Sequence, residues 1–339
     1  MNQAGTRDTV VVAASAGGVE ALRDLLPRLP ADLPAAVLLV LHVPAAGGRA
    51  LPRILTRAGT LPAHAASDGE EPRPAHIYVA PPDHHMLLAD GRIRLSRGPR
   101  HNGHRPAADP LFISAAAARG PHVIAVVLSG TLDDGAAGCA AVERQGGLVL
   151  VQDPQDSAYE GMPRAAVAAA RHPRVLRLRE LGPVIGQEAR VTAPVPPKPD
   201  PDLTRQVAVF LGEDPGPAAG PALWSGVTCP ECGGLLQQQD TATPVRFECP
   251  AGHAWSPESL VAAQASGIER ALWAAVVRLD ERARLNRVLA DTASRSGHQA
   301  TAGGFVMSAR SAESSARAIR QLLEDAGLPE QPSPPAEDS

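Results

Sequence analysis

Three polar side chains follow apolar runs, Ser15 and His42 directly and Asp134 after a short turn, and together they form a set that could support nucleophilic serine chemistry. Val10-Val11-Val12-Ala13 runs into Ala14-Ser15-Ala16-Gly17-Gly18, and Val37-Leu38-Leu39-Val40-Leu41 into His42-Val43-Pro44. Val126-Val127-Leu128 leads to Ser129-Gly130-Thr131-Leu132-Asp133-Asp134-Gly135. A hydroxyl becomes a nucleophile when a base takes its proton, and imidazole does this near neutral pH when a carboxylate holds it in the right tautomer. Each residue also has an ordinary reading: Ser15 or either aspartate would cap a helix, and a histidine after a strand is often structural. What favours chemistry is that all three leave the carboxyl ends of predicted strands. In an open α/β sheet those ends form the ligand crevice, and a helix starting there offers free N–H groups to a developing anion. The spacing G-x-G-x-x-G is absent and the second run ends in His42 rather than an acid, which disfavours a nucleotide.

A second constellation lies far downstream. Cys229-Pro230-Glu231-Cys232 and Cys249-Pro250-Ala251-Gly252-His253 have the C-x2-C and C-x3-H spacing of a structural zinc site. Four ligands, Cys229, Cys232, Cys249 and His253, would close a tetrahedral shell and leave no position for catalysis, so zinc is expected as a structural ion and no cofactor for the reaction. Around it Arg246 stands against Glu231, Asp240 and Glu248, which disfavours nucleic acid as the module's partner. Ser96-Arg97-Gly98-Pro99-Arg100-His101-Asn102-Gly103-His104-Arg105 is basic and carries no acid. It is either a solvated loop or a grip for an acidic protein surface.

The elements that must position these residues follow from periodicity. Through about residue 179, short β-branched runs alternate with alanine-rich stretches, the pattern of a doubly wound, mostly parallel α/β sheet. Strands are expected at 9–13, 36–41, 76–80, 123–128 and 148–152, with helices near 19–26, 109–118 and 136–145. Residues 86–88 and 93–95 flank Ala89-Asp90-Gly91-Arg92 as a hairpin. Five segments are expected: a catalytic domain over 1–192, a Pro/Gly-rich linker over 193–223 with a short helix at 203–211, and a zinc ribbon over 224–256. A helical hairpin over 257–326 and a disordered tail over 327–339 complete the chain. Ser256-Pro257 reads as the cap and first residue of a helix. Ile268, Leu272, Val276, Leu279 and Ala283, then Ala309, Ala312, Ala316, Ile319 and Leu323, mark two apolar faces, for self-packing or for a protein contact.

Composition bounds the rest. The 339 residues are 44% hydrophobic but only 3% aromatic, so alanine, valine and leucine must fill the core. A net charge of −4 gives no reason to expect nucleic acid or an anionic membrane. No secretion signal is visible, no stretch reads as a membrane span, and three of the four cysteines gather with a histidine rather than spread as disulfides. A reducing cytoplasm is the expected setting.

These segments resemble the catalytic domain of CheB-type protein-glutamate methylesterases. The likeness runs from about residue 9 to 178 and rests on Ala14-Ser15-Ala16-Gly17-Gly18, His42-Val43-Pro44 and Asp134-Gly135-Ala136. It extends to Ala80-Pro81-Pro82-Asp83-His84-His85-Met86, His104-Arg105-Pro106 with Asp109 and Phe112, and Gly161-Met162-Pro163. The resemblance implies a Ser15–His42–Asp134 triad, with Asp134 rather than Asp133 in the third role. It implies an oxyanion site at the amides of Ala16 and the Thr131–Leu132 loop, and a substrate groove near His85, His104, Arg105 and Met162. The implied activity is demethylation of glutamate esters on methyl-accepting chemotaxis-type receptors. Glutamine deamidation, another carboxylester, or a weakened zinc-containing signalling scaffold are the alternatives. No receiver domain is expected in this chain, so regulation would come from elsewhere. Two departures stand out: Ala16 replaces a hydroxyl residue, and Leu132 stands where glycine is frequent, so the loop is expected to take another path there.

Overall fold

A computed structural model describes residues 5–44, 47, 50–195, 197, 200–213, 223–239 and 245–326. The chain divides into two compact units, 1–260 and 261–339.

The first unit opens with β1 (Thr9–Ala14), α1 (Gly18–Leu25), β2 (Ala36–Leu41), α2 (Leu51–Ala58), β3 (Ala63–Ala65) and β4 (Ile77–Val79). The hairpin strands β5 (His85–Ala89) and β6 (Arg92–Ser96) follow, then α3 (Ala108–Arg119), β7 (Val123–Val127), α4 (Ala136–Arg144) and β8 (Leu148–Gln152). Next come α5 (Gly161–Ala169), β9 (Arg174–Leu176), α6 (Leu178–Glu188) and α7 (Pro201–Leu211). Seven strands form one parallel sheet in the order β3-β4-β2-β1-β7-β8-β9. The chain builds outward from β1 on one side and then returns to its other side with β7, so the switch point lies between β1 and β7.

Alternation along the strands sends side chains into two cores. Val11, Ala13, Leu38, Val40, Ala125 and Val127 meet Phe112 of α3, Cys139 of α4 and the hairpin residues Leu87 and Ile93. Val10, Val12, Val37, Leu39 and Val126 meet Leu22 and Leu25 of α1, Leu55 of α2 and Ile185 of α6. Both faces are therefore covered, which is why these strands read as unbroken apolar runs.

One expectation is corrected here. The helix inside the supposed linker belongs to the domain: Leu203 and Phe210 of α7 are 1% and 2% exposed and pack into the first core. The proline-rich flanks hid two anchor positions seven residues apart on one helical face. Residues 214–222, the rest of that linker, and the expected tail at 327–339 lie outside the described residues.

The same unit ends in a four-stranded antiparallel sheet of β10 (Leu223–Thr228), β11 (Leu235–Gln239), β12 (Arg246–Glu248) and β13 (Ala254–Trp255). Helix α8 (Pro257–Arg295) starts from it, with Ser256 Oγ accepting the Ser259 N–H at 3.2 Å.

The second unit comprises the remainder of α8 and α9 (Gln299–Asp325). Val276, Ala283 and Ala290 are buried with Ala302, Ala309, Ala312, Ala316 and Leu323, and Arg320–Asp280 and Arg287–Glu313 ion pairs tie the helices, both at 2.5 Å. Ile268, counted in the expected apolar face, is 62% exposed. A window of α8 is long and apolar enough, by length and composition alone, to cross a membrane, and only 11% of it is buried. This corrects the reading that no stretch in the chain is so apolar.

Candidate active site

Register places the three chemical residues side by side. Ala14 pairs with Leu41 and Ala13 with Val127, so Ser15 and His42 are the next residues on adjacent strands β1 and β2, and the turn to Asp134 leaves β7 on the other flank. The strand ends stay zipped beyond the pairing: the His42 N–H donates to Ala14 O at 3.2 Å and the Ser15 N–H to Ser129 O at 3.0 Å.

The side chains form a hydrogen-bonded row. His42 Nδ1 lies 3.1 Å from Ser15 Oγ, and His42 Nε2 lies 2.7 Å from Asp134 Oδ2. With the carboxylate at Nε2, the proton sits on that nitrogen and Nδ1 is left as the base facing the serine, the reverse of the ring orientation in the trypsin-type triad. Asp134 is buried and accepts further bonds from the amides of Ala108 at 2.6 Å and Asp109 at 3.3 Å, and from Asn102 Nδ2 at 3.2 Å. Burial alone would raise its pKa. The His42 hydrogen bond and charge, with His104 and the Ala108 amide, outweigh burial and hold the carboxyl well below the usual range.

The loops around Ser15 are braced from behind. Ser129 Oγ donates to Ala16 O at 2.8 Å and accepts the Tyr159 N–H at 2.9 Å. Gly17 has φ 71°, and a Cβ there would come within 2.8 Å of Ser129 Oγ. A Cβ on Gly130 would lie 2.1 Å from Met162 Sδ and 2.9 Å from the Ser15 Cβ, so this glycine lets the two loops touch. Leu132 corrects an expectation: the loop keeps a left-handed residue, φ 60°, despite the leucine. That conformation costs a non-glycine residue about 1–2 kcal/mol, which the braced loop must absorb.

The residues assigned to the substrate groove divide. His104 lies at the triad, its ring stacked on His42 with centroids 3.8 Å apart and planes at 10°. Burial, then the His42 charge, lowers its pKa to about 4, so it is neutral near pH 7. Ala16 is half-buried beside Ser15, and Thr131 is exposed. His85 does not line a groove: it is fully buried, with Nε2 donating to Pro99 O at 2.9 Å and Nδ1 accepting the Ala107 N–H at 3.3 Å. Arg105 spends its guanidinium inside the domain, on Asp83 at 2.6 Å and on the carbonyls of Arg97 and Gly98 at 3.0 and 2.8 Å. Met162 is buried behind Gly130. The basic stretch is likewise partly consumed, since Arg97 pairs with Asp83 at 3.0 Å and His101 is buried.

The role of Asn102 and the partners of Asp133 escaped the sequence reading. Asn102 sits beside Asp134 and Asp109, and its signal was the Asn102-Gly103 dipeptide, which favours a tight turn. Asp133 turns the other way and accepts Ser256 Oγ at 2.7 Å and Ser259 Oγ at 2.6 Å.

The ligand atoms of Cys229, Cys232, Cys249 and His253 lie within 4.8 Å of one another, a set that could hold a metal ion. Cys232 Sγ and His253 Nδ1 are each 3.5 Å from Cys249 Sγ. Tetrahedral zinc separates two thiolates by about 3.8 Å and a thiolate from an imidazole nitrogen by about 3.6 Å, so the donors fit that ion.

Comparison with known proteins bears on this geometry. The family model described as CheB methylesterase matches residues 10–185. Protein-glutamate methylesterase/protein-glutamine glutaminase 4 of Myxococcus xanthus (strain DK1622) is 41% identical over 173 residues, covering 51% of this chain and 49% of that protein. Protein-glutamate methylesterase/protein-glutamine glutaminase 2 of Caulobacter vibrioides (strain ATCC 19089 / CIP 103742 / CB 15) is 41% identical over 195 residues, 56% of each. The chain thus spans about half the length of the curated relatives it matches. The crystal structure of the Thermotoga maritima CheB methylesterase catalytic domain aligns with a TM-score of 0.51 at 30% identity, over 55% of this chain and 99% of that one.

Proposed function

This chain belongs to the CheB methylesterase family, and we propose that it hydrolyses glutamate methyl esters on methyl-accepting chemotaxis-type receptors in the cytoplasm. The observation that carries the reading is the row Ser15 Oγ–His42–Asp134, at 3.1 and 2.7 Å, on three adjacent strand ends. Ser15 Oγ attacks the ester carbonyl while His42 Nδ1 takes its proton. The proton then passes to the departing methoxy oxygen, methanol leaves, and water activated by His42 frees the acyl-serine as glutamate. Asp134 orients the ring and stabilises the imidazolium. Among the described residues, the amides of Ala16 and Leu132 donate to no acceptor, which supports their use as oxyanion donors worth about 3 kcal/mol each.

The relatives' names carry a second reading: they are called glutaminases as well. Receptor glutamine deamidation would use the same acyl-serine with ammonia as the leaving group.

The ribbon holds zinc as a structural ion through Cys229, Cys232, Cys249 and His253, and the helical unit supplies a contact for a protein or a second copy. Nucleic acid is not among the proposed partners.

The test is methanol release from purified methylated receptor. Ser15→Ala is expected to lower turnover at least about 10³-fold, and turnover unchanged in that variant would remove the triad. Ammonia release from unmodified receptor tests the second reading with the same protein.

A further inference from the structure

The ribbon is hydrogen-bonded to the turn that faces the triad. His101 and His104 exchange backbone bonds of 3.2 and 2.8 Å around Asn102 and Gly103, whose φ values are 52° and 75°. This is a two-residue turn of the kind that Asn-Gly favours. The ribbon extends it: the Asn102 N–H donates to Ala254 O at 2.8 Å, and the Ala254 N–H to Arg100 O at 3.4 Å.

The side chain of Asn102 then joins two sites. Its Oδ1 accepts the Ser256 N–H at 2.9 Å, while Nδ2 donates to Asp134 at 3.2 Å and to Asp109 at 3.3 Å. A primary amide has two donor hydrogens and one acceptor oxygen, and its neighbours decide which way it faces. The Ser256 N–H can only donate, so it turns Oδ1 toward the ribbon and leaves both hydrogens for the carboxylates. Turned over, Oδ1 would meet two carboxylate oxygens. Ser256 and Ser259 meanwhile draw Asp133 away from its neighbour. Beside these bonds lies a partly open cavity of about 250 Å³, lined by Asn102, Asp133, Arg246 and Ser256 together with alanines such as Ala165 and Ala168, so close packing is incomplete there and the hydrogen bonds tie the segment to the domain.

We propose that the metal-supported ribbon is a positioning element for the catalytic acid. Docking of residues 254–259 fixes Asn102, Asn102 fixes Asp134, and loss of metal from the ribbon slows ester hydrolysis while the parallel sheet stays folded. The inference rests on the triad reading above. Asn102 touches no reacting atom and is a positioning residue, so its loss is read in kcat and not in KM.

The experiment uses the full-length chain, a serine-reactive phosphonate, metal analysis, and hydrogen exchange by mass spectrometry. Asn102→Gly keeps the positive φ and removes only the side chain. It is expected to slow labelling of Ser15 about 10-fold and to lower kcat by a similar factor with KM unchanged, as loss of such a supporting hydrogen bond does elsewhere. Chelation should slow wild-type labelling comparably, add little in Asn102→Gly, and speed exchange in residues 99–108 while β1, β2 and β7 stay protected. Equal labelling of wild type with and without its metal, or wild-type labelling in Asn102→Gly, would overturn the proposal. If chelation also exposes the strands, Ser256→Pro, which removes the N–H that Asn102 Oδ1 accepts and keeps every metal ligand, carries the decision: slowing sustains the proposal and a wild-type rate overturns it. An intact wild type whose Ser15 does not label at all refutes the triad itself, a result distinct from any of these.

Discussion

Asp109 makes the strongest test of the electrostatics beneath the triad. It lies in the first turn of α3, 5% exposed, with the Gly138 N–H donating to Oδ1 at 2.7 Å and half of the Asn102 amide on Oδ2. Burial first, and then the charge of Asp134, push its pKa from 3.8 up to about 7. The folded protein therefore holds this proton more tightly than the unfolded chain does. The associated stability is fully present below the unfolded value near 3.8 and is lost as the pH rises through about 7. Between about pH 5 and about pH 8.5 the loss spans about two pH units of the shift, or about 3 kcal/mol.

Asp109→Asn removes that titration. The variant also disturbs the bond from Asn102, an offset of about 1 kcal/mol that is present at both pH values, so the quantity to read is the change between them. Asp134 does not titrate in this window, since its folded value lies far below it. Urea unfolding followed by far-ultraviolet circular dichroism should show wild type losing about 3 kcal/mol more than Asp109→Asn between the two conditions. An identical pH dependence in the two proteins would refute the assignment of a proton to Asp109.

Two further changes probe the scaffold. Phe210→Ala should destabilise the first unit by about 3–5 kcal/mol in the same unfolding assay, because its ring is buried in the core under the sheet, and a change under about 1 kcal/mol would show that α7 is a linker after all. Gly130→Ala forces a Cβ to within 2.1 Å of Met162 Sδ and 2.9 Å of the Ser15 Cβ. A shift of Ser15 by about 1 Å is expected to cost about 10²-fold in methanol release with the circular dichroism spectrum retained.

The sheet was legible because strands buried on both faces leave uninterrupted β-branched runs, and 36–41 and 148–152 agree with β2 and β8 to the residue. Short or irregular elements were not: β3 has three residues, none of them fully buried, and α6 contains Pro183 within a helix. The positions of Ser15 and His42 followed from strand ends alone, since register in a parallel sheet aligns consecutive residues across neighbours. The roles of His85, Arg105 and Met162 did not, because a polar or sulphur-bearing side chain near a site in sequence can face either the groove or the support behind it. Only burial and partners separate those cases. Nor could spacing reveal that Ser256, read as a helix cap, also reaches Asp133 across more than a hundred residues.

Three buried aspartates crowd this corner, and the donors aimed at each decide its charge. Asp134 receives two amide N–H groups, the Asn102 amide and the His42 ring, enough to overcome burial and keep it ionised. Asp133 receives two serine hydroxyls, which offset only part of the cost of burial, so its pKa stays raised. Asp109 receives one amide N–H and one hydrogen of the Asn102 amide, and burial with the Asp134 charge raises it to about 7. Like charges this close oppose one another's ionisation in a poorly solvated site, and ionisation is favoured most at the carboxylate with the most donors, which is the one that touches His42. Two of the donors that set this order, Ser256 and Ser259, come from the start of α8, and a third, Asn102, is oriented by the same segment. A segment more than a hundred residues downstream thus supplies the hydrogen bonds to Asp133 and orients the Asn102 amide that lies against the acid of the triad.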